Sequence, residues 1–295
     1  MPNNFEKRYW EDGTLWWEGE LTNGVPNGKC IEYRNDGTIL RTGSFTNGKL
    51  DGEGTEYRTD ETILQQGQFK NGKLYGAGVI YRITGEILRD GSFIDNKLDG
   101  IGAEYRKDKS VIREGEFKNG KLDGNGTVYH ANGYISQIGQ FINGNLDGYG
   151  TEYRLDCSIY RKGLFKSNKL NGDGTEYRQD GSALRNGDFR DGKLHGYGIE
   201  YDQSGNPTQK GEFSHGELNG KGTIYRSTGV LLRTGEFRAG KLTGEGQEFR
   251  PNGELHRRGG FRNGKLNGYG TEYDINGDVS ATGKWLNGRL VQSIN

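Results

Sequence analysis

The sequence predicts an all-β protein: a single elongated, twisted antiparallel sheet of tandem β-hairpins, with no helices. Three observations lead to this fold class. Glycine recurs every 24 residues from Gly19 to Gly283 without an insertion or deletion. Each repeat carries two turn-forming dipeptides, and no apolar pattern with a period of 3.6 residues is present. Two turns per repeat leave two short strands, and sheets twist with a fixed hand.

Each repeat has the same arrangement around its anchor glycine. A large apolar residue, nearly always phenylalanine, follows two residues later, as in Phe45, and an aromatic residue, nearly always tyrosine, follows fourteen residues later, as in Tyr57. The unit reads G-x-F-x-N-G-K-L-x-G-x-G-T-E-Y-R-x-D-G-x-I-L-R-x. The anchors are Gly19, Gly43, Gly67, Gly91, Gly115, Gly139, Gly163, Gly187, Gly211, Gly235, Gly259 and Gly283.

Both turns are marked by dipeptides that supply residues with positive φ. The first is Asn-Gly, as at residues 47–48, and where its glycine is lost Asn96 and Asn168 replace it. Asparagine tolerates the left-handed region better than other side chains do. The second is Asp-Gly or Asn-Gly, as at residues 36–37. This second signal is interrupted, which predicts a looser turn, at Glu61, Lys109 and Cys157.

Strand parity predicts how such a sheet buries apolar area. Gly43 and Phe45 share parity and therefore one face. We expect the glycines to leave slots across which aromatic rings of neighbouring strands lie. Carboxylates that recur at one repeat position, such as Glu104 and Glu152, are expected to form a solvated face. Tryptophan occurs only near the two ends, where it is expected to cap the array or, alternatively, to mediate end-to-end homodimerisation, at Trp10, Trp16, Trp17 and Trp285.

The composition excludes several classes of protein. The 53 glycines and 4 prolines show no Gly-X-Y period, which excludes collagen. Apolar content of 30% argues against one thick core, whereas 17 tyrosines and 12 phenylalanines exclude a disordered chain. Forty basic and forty acidic residues cancel, so no nucleic-acid partner is expected.

The sequence also favours a cytoplasmic, reducing location. The N-terminus lacks the apolar core of a signal peptide, so the chain is not expected to be secreted. No apolar run approaches the roughly 20 residues of a transmembrane helix. Cys30 and Cys157 lie far apart in the array and are not expected to pair.

These residues resemble the MORN (membrane occupation and recognition nexus) repeat family. The segments GEFKNGKLDGNGTVYHANG at 115–133 and GFRNGKLNGYGTEYDINGD at 260–278 carry its G-x-aromatic-x-N-G-x-x-x-G-x-G core. The familiar repeat is about 23 residues long, one fewer than here. The N-G-K-L segment with its lengthened second half is similar to a variant repeat in bacterial antitoxin-like proteins.

The repeat divides the chain into an N-terminal flank at 1–8, a continuous array of 11–12 repeats at 9–290 and a tail at 291–295. The resemblance implies a non-enzymatic scaffold or adaptor for protein partners, of the kind found within larger cytoskeletal, ciliary or membrane-associated assemblies. Two alternatives remain open: a phosphoinositide or membrane-surface binding module, and a bacterial antitoxin- or immunity-like inhibitor.

No catalytic, cofactor or metal site is expected. The histidines occupy four different repeat positions, which excludes a histidine ladder, and no Cys/His spacing resembles a zinc site. The G-x-G-T segments, such as residues 52–55, lack the helix N-terminus that a phosphate loop needs. The four histidines are His130, His195, His215 and His256.

Three surfaces are candidates for binding. One is a row of lysines at the first turn, such as Lys49 and Lys73, whose simpler interpretation is a solvated edge. Another is a set of arginines expected to make weak contact with anionic lipid, namely Arg250, Arg257, Arg258 and Arg262. The last is a groove, implied by the resemblance, that holds a partner segment against Tyr57, Tyr81, Tyr105, Tyr129, Tyr153, Tyr177, Tyr201 and Tyr225.

Overall fold

A computed structural model describes residues 5–294. Every regular element in this range is a β-strand and none is a helix, which confirms the predicted all-β fold class. The 25 strands belong to one open antiparallel sheet. Two compact units divide the chain, Met1–Asn145 and Leu146–Asn295. Within each unit, consecutive strands along the chain pair with each other.

Strands of eight and nine residues alternate along most of the chain. The first twelve are β1 Phe5–Tyr9, β2 Leu15–Thr22, β3 Val25–Tyr33, β4 Ile39–Thr46, β5 Lys49–Tyr57, β6 Ile63–Lys70, β7 Lys73–Tyr81, β8 Ile87–Ile94, β9 Lys97–Tyr105, β10 Val111–Lys118, β11 Lys121–Tyr129 and β12 Ile135–Ile142. The remainder are β13 Asn145–Tyr153, β14 Ile159–Lys166, β15 Lys169–Tyr177, β16 Ala183–Arg190, β17 Lys193–Tyr201, β18 Pro207–Ser214, β19 Glu217–Tyr225, β20 Leu231–Arg238, β21 Lys241–Phe249, β22 Leu255–Arg262, β23 Lys265–Tyr273, β24 Val279–Leu286 and β25 Arg289–Ser293.

The first turn of the repeat is a two-residue hairpin loop, as its sequence predicts. Asn47 and Gly48 have φ of 51° and 75°, the pattern of a turn whose twist matches that of the flanking strands. Asn96 and Asn168 both have φ of 65°, which confirms that asparagine replaces the missing glycine. The turn also joins consecutive hairpins, because the Gly72 amide donates to the carbonyl of Leu50 in the preceding hairpin at 2.8 Å.

The second turn is regular even where its glycine is absent, so the predicted looser turns are wrong. Glu61, Lys109 and Cys157 adopt φ of 62°, 71° and 68°, and each amide closes the same bond to the carbonyl three residues back at 3.0–3.1 Å. An aspartate fixes the loop. Asp60 accepts hydrogen bonds from both the amide and the hydroxyl of Thr62. These contacts hold a non-glycine residue in a conformation that costs about 1–2 kcal/mol.

The apolar core lies on one face of the sheet, which we call the core face. It consists of the phenylalanine that follows each anchor and the leucine that follows each first turn. Phe45 is 2% exposed and Leu50 is 0% exposed, and the two lie opposite each other on β4 and β5. Burial this complete within a single sheet requires the backbone to close around the side chains.

Glycine makes that closure possible. The expectation that aromatic rings lie across the glycines holds at some of these positions but not at all of them. Phe69 does lie opposite a glycine, Gly52. Over Gly54, however, it is a leucine that fills the slot, because a Cβ there would lie 2.7 Å from Cδ2 of Leu50. A Cβ on the anchor Gly43 would meet the Cα of Gly54 at 2.5 Å. Backbone therefore packs on backbone at each glycine pair.

Tryptophans complete the core near each end of the described chain. Trp17 is buried, and its ring meets that of Phe45 edge-on with centroids 5.0 Å apart. Trp10 stacks on Trp16 at 4.6 Å, and Trp16 remains 37% exposed. In the second unit Trp285 takes the phenylalanine position and donates to the Gly270 carbonyl at 2.9 Å. Homodimerisation through the ends stays a prediction.

Candidate partner-binding groove

The other side of the sheet, which we call the groove face, carries the predicted tyrosines. On β11, alternation places Leu122 and Gly126 on the core face and Thr127 and Tyr129 on the groove face. The hydroxyl of Tyr129 donates to Oε1 of Glu114 on β10 at 2.5 Å. Each tyrosine of the predicted row is half-buried.

The tyrosine hydroxyls bind residues that directly precede the anchor glycines. Tyr105 donates to Asp90 at 3.2 Å, and Tyr81 accepts a hydrogen bond from the amide of Gln66 at 2.7 Å. The hydrogen bond to Glu114, together with burial, raises the pKa of Tyr129 to about 12. The hydroxyls therefore hold neighbouring strands together, while the rings remain partly accessible along one side of the groove.

Glycine pairs form the floor of this groove, and clefts follow it within each unit. In the first unit a cleft of about 930 Å³ extends over β5–β10. In the second unit two clefts of about 500 Å³ each lie along the same face, one beside Tyr149 and Tyr177 and one beside Tyr197 and Tyr225. Two predicted tyrosines, Tyr177 and Tyr225, thus line clefts directly.

Sequence reasoning missed the row on the opposite side of the groove. It consists of the variable residue between the two glycines of each G-x-G, on the groove face. Ile101 is 66% exposed, Tyr149 is 65% exposed and Tyr269 is 67% exposed. The signal was present in the sequence, because this position varies widely while the glycines on either side of it are nearly constant.

The recurrent glutamates lie on the core face and are not solvated, so that expectation is wrong. Glu104 on β9 accepts from Arg89 at 2.9 Å and from Arg113 at 2.7 Å. Burial raises the pKa of Glu104, but the two arginines outweigh it and hold that pKa below its usual value. The Glu152 carboxylate is likewise paired, with Arg161. Cross-strand neighbours at fixed spacing supply each partner.

A second structural row, also missed, is the arginine that follows most of the tyrosines. Arg82 donates to the Tyr105 carbonyl at 2.6 Å, and Arg106 donates to the Tyr129 carbonyl at 2.7 Å. Each guanidinium therefore bridges its own second turn to that of the next repeat. Such arginines are part of the fold rather than free cations.

The four arginines predicted to contact anionic surfaces lie in different environments. Arg250 belongs to the bridging row and donates to the Tyr273 carbonyl. Arg257 lies on the core face and binds Glu272 at 2.8 Å. Arg258, its neighbour on β22, therefore faces the groove, where it is exposed, as is Arg262. The anionic-surface contact stays a prediction.

The predicted lysine row lies at the exposed edge formed by the first turns, and Lys49, Lys73 and Lys97 are all exposed. The acidic residues two positions downstream support the turns instead of pairing with lysine. Asp51 accepts a hydrogen bond from the Asn71 amide at 3.2 Å, and Asp99 accepts one from the Asn119 amide at 3.1 Å.

No group of three or more potential ligands that could hold a metal ion occurs among residues 5–294. Two histidines do meet, although they occupy different repeat positions. The rings of His195 and His215 are edge-on with centroids 5.6 Å apart. In the described part of the chain, no helix has the length and apolar character needed to cross a membrane.

A repeated hairpin with a buried aromatic and leucine row, a glycine floor and an open groove defines a β-hairpin repeat protein. The chain belongs to the MORN repeat family, whose model matches ten segments that together cover more than half of it. These are residues 17–39, 42–63, 66–86, 114–133, 138–154, 162–183, 186–206, 210–230, 234–254 and 258–279. Residues 87–113 are unmatched, yet β8 and β9 fold as the other repeats do.

No curated protein matches the chain in sequence. Among solved structures, a crystal structure described as TcdB2-TccC3-TEV matches at 12% identity with a TM-score of 0.17. The match covers 95% of this chain and 19% of that one. A similarity this low carries no argument about function.

Proposed function

We propose that this chain is a non-enzymatic scaffold that binds a protein partner along its groove face. The observation that carries the proposal is the contrast between the two faces. The core face repeats nearly the same residues in every hairpin, whereas the groove face changes from Glu53 to Ile101 to Tyr149 at one position. The fold needs only the glycines on either side of that position.

The exposed side chains also have the chemistry of a protein interface. Large aromatic and aliphatic side chains that are exposed to solvent lower the solubility of a protein, and they are typical of surfaces that contact a partner. Tyr149, Tyr197 and Tyr269 present a ring over the glycine floor, each more than half exposed. Such rings lose little conformational entropy when a partner covers them.

Affinity purification from cells of the source organism tests the proposal. The wild-type chain should recover a stoichiometric protein partner, and the double variant Tyr149→Ser, Tyr197→Ser should lose it. Ile275→Ser is the matched control, because Ile275 is equally exposed but lies in a second turn. Recovery of no partner by the wild-type chain, or equal recovery by the groove variant, would contradict the proposal.

Attachment to an anionic membrane surface is a second candidate, supported by the exposure of Arg258 and Arg262. Flotation with phosphoinositide vesicles at low salt tests it, because such contacts are electrostatic. Binding that disappears in the Arg258→Ser, Arg262→Ser variant would support this candidate. The absence of flotation at low salt would eliminate it.

A further inference from the structure

We infer that the groove of the first unit is specific for a cationic amphipathic helix of a protein partner, seated over β5–β10. This inference rests on the proposed function and names the chemistry of the partner. It is carried by three features of one cleft: exposed apolar side chains, carboxylates without an ion-pair partner, and strands that are already hydrogen-bonded to a neighbour on both sides.

The floor of this cleft departs from the repeat in an apolar direction. The residue that directly follows the second glycine of G-x-G lies on the groove face and is usually threonine, as in Thr55 and Thr127. On β7 and β9 it is Val79 and Ala103 instead. Val79 is half-buried and Ala103 is only 8% exposed, so most of the accessible apolar surface here belongs to Ile101, which is 66% exposed. The fold does not require this change, since threonine occupies the same position in most other repeats. An apolar ligand surface explains it.

Acidic side chains alternate with these apolar residues in one line across the strands. Asp90 lies between Val79 and Ala103, and Ala103 in turn pairs with Glu114. Together with Glu53 these carboxylates line the cleft, and no basic residue does. None of the three takes part in an ion pair of the described residues, in contrast to Glu104 on the core face. Their charge is therefore available to a cationic ligand.

The cleft over β5–β10 has acidic residues and no basic one, whereas the clefts of the second unit combine Asp173 with Lys162 and Glu245 with Lys210. In the second unit the position of Asp90 and Glu114 is basic or neutral, and its residues are Lys162, Asn186, Lys210, Thr234, Arg258 and Thr282. Because the fold accepts an acidic, neutral or basic side chain at this position, a carboxylate is not required there for the hairpin to form, although Asp90 and Glu114 each accept a hydrogen bond from a tyrosine hydroxyl. Residues 87–113, which include the centre of the cleft, are also the longest stretch between matched repeats.

A helix suits the cleft better than an extended strand does. The strands from β5 to β10 are each hydrogen-bonded to neighbours on both sides. These strands therefore offer no unpaired edge to which an extended partner segment could hydrogen-bond. An extended segment lying across the face of the sheet would leave its own amides and carbonyls unpaired. A helix satisfies these groups internally.

The spacing of the carboxylates agrees with a helix that lies along the repeats. Asp90 on β8 and Glu114 on β10 are two strands apart, about 9.6 Å at the usual strand separation. Seven residues of an α-helix rise about 10.5 Å. A helix with basic residues at i and i+7 therefore meets one carboxylate in each repeat, while its apolar stripe covers the exposed Ile101 beside that line.

Titration of the full chain with a synthetic 21-residue peptide of leucine and lysine tests the inference, with leucine at the a and d positions of each heptad. Because the described chain has no helix, a gain of helical circular dichroism at 222 nm over the sum of the two separate spectra reports on the peptide. We expect saturable binding with a gain of helical signal. The same pattern built from leucine and glutamate should not bind.

Variants locate the site. Asp90→Lys with Glu114→Lys should weaken peptide binding by at least about tenfold, and Val79→Thr with Ala103→Thr by about threefold or more. The matched control in the second unit, Lys162→Asn with Lys210→Asn, should bind as the wild type does. Equal binding by the Asp90 and Glu114 variant, or saturation without helical signal, would overturn the inference.

The outcomes separate this inference from the proposed function. If the peptide fails to bind while Tyr149→Ser, Tyr197→Ser still abolishes capture of the native partner, only the helix inference is overturned. If neither that variant nor the Asp90 and Glu114 variant affects capture of the native partner, the proposed function is overturned as well.

Discussion

At the scale of single residues, glycine pairs determine how one sheet buries its apolar side chains. Gly43 and Gly54 lie opposite each other, and neither position has room for a Cβ. At Gly43 the obstacle is backbone, whereas at Gly54 the nearest atom belongs to Leu50. The core leucine is therefore nearly fully covered because its neighbour has no side chain.

Gly54→Ala tests this packing without adding strain from positive φ, since Gly54 does not adopt one. The new methyl group would lie 2.7 Å from Cδ2 of Leu50, and we expect the unfolding free energy to fall by about 1–3 kcal/mol. Urea unfolding measures the loss. Glu53→Ala, on the groove face of the same strand, is the control and should change stability by less than about 0.5 kcal/mol.

The Tyr129–Glu114 pair predicts a pH dependence at high pH. The hydrogen bond to Glu114 raises the pKa of Tyr129 to about 12 from the usual value of 10.0. A raised pKa means that the folded state favours the neutral phenol. Its contribution is therefore fully present below pH 10 and is lost as pH rises through about 12.

Absorbance at 295 nm follows this ionisation, and the difference between the wild type and Tyr129→Phe isolates one residue. Glu114→Gln removes the acceptor charge and should move the step back toward the usual pKa of tyrosine. A Tyr129 step that stays in place in Glu114→Gln would show that the hydrogen bond is not the cause of the shift.

At the scale of elements, the second turn shows that contacts can impose a conformation which the local sequence disfavours. Glu61 has φ of 62°, and the same turn in the preceding repeat uses Gly37 with φ of 85°. The amide and the hydroxyl of Thr62 both donate hydrogen bonds to the Asp60 carboxylate, and these two bonds fix the loop. Turn strength thus depends on the aspartate and threonine as well as on glycine.

Glu61→Gly should therefore stabilise the protein by about 1 kcal/mol, because it removes left-handed strain from a side chain that the fold does not need. The reciprocal change, Gly37→Ala, should destabilise it by about as much, since nothing within 4 Å would contact the new methyl group and only backbone strain remains. Thermal unfolding of both variants measures the pair. A loss of stability in Glu61→Gly would show that Glu61 makes a contact outweighing its strain.

At the scale of the whole molecule, the period, the strand pairs and the positions of the turns were predictable because the backbone needs glycine at most of these places. The regular second turns that lack glycine, at Glu61, Lys109 and Cys157, were the exception. The core face was predictable for the same reason, as Phe45 and its counterparts recur. The Arg89–Glu104–Arg113 pairing was not, because charged residues on a strand look alike whether they face solvent or a partner on the adjacent strand.

The groove was only half predictable. Tyr177 and Tyr225 were placed correctly beside clefts, but the facing row with Ile101 and Tyr149 was not foreseen. Those residues vary between repeats, so the position is marked only by the nearly constant glycines on either side of it. Its meaning depends on knowing that the neighbouring glycines form a floor, which follows only from the three-dimensional pairing of strands.

The central claim is that the groove face is where the partner binds, and site-specific photo-crosslinking in source cells tests it most directly. A photoreactive phenylalanine analogue is placed at Ile101, Tyr149 or Tyr197 on the groove face, and at Ile83 or Ile275 in the exposed second turns. We predict that the groove positions crosslink to one defined protein and that the turn positions do not. Crosslinks from the turns, with none from the groove, would contradict the account.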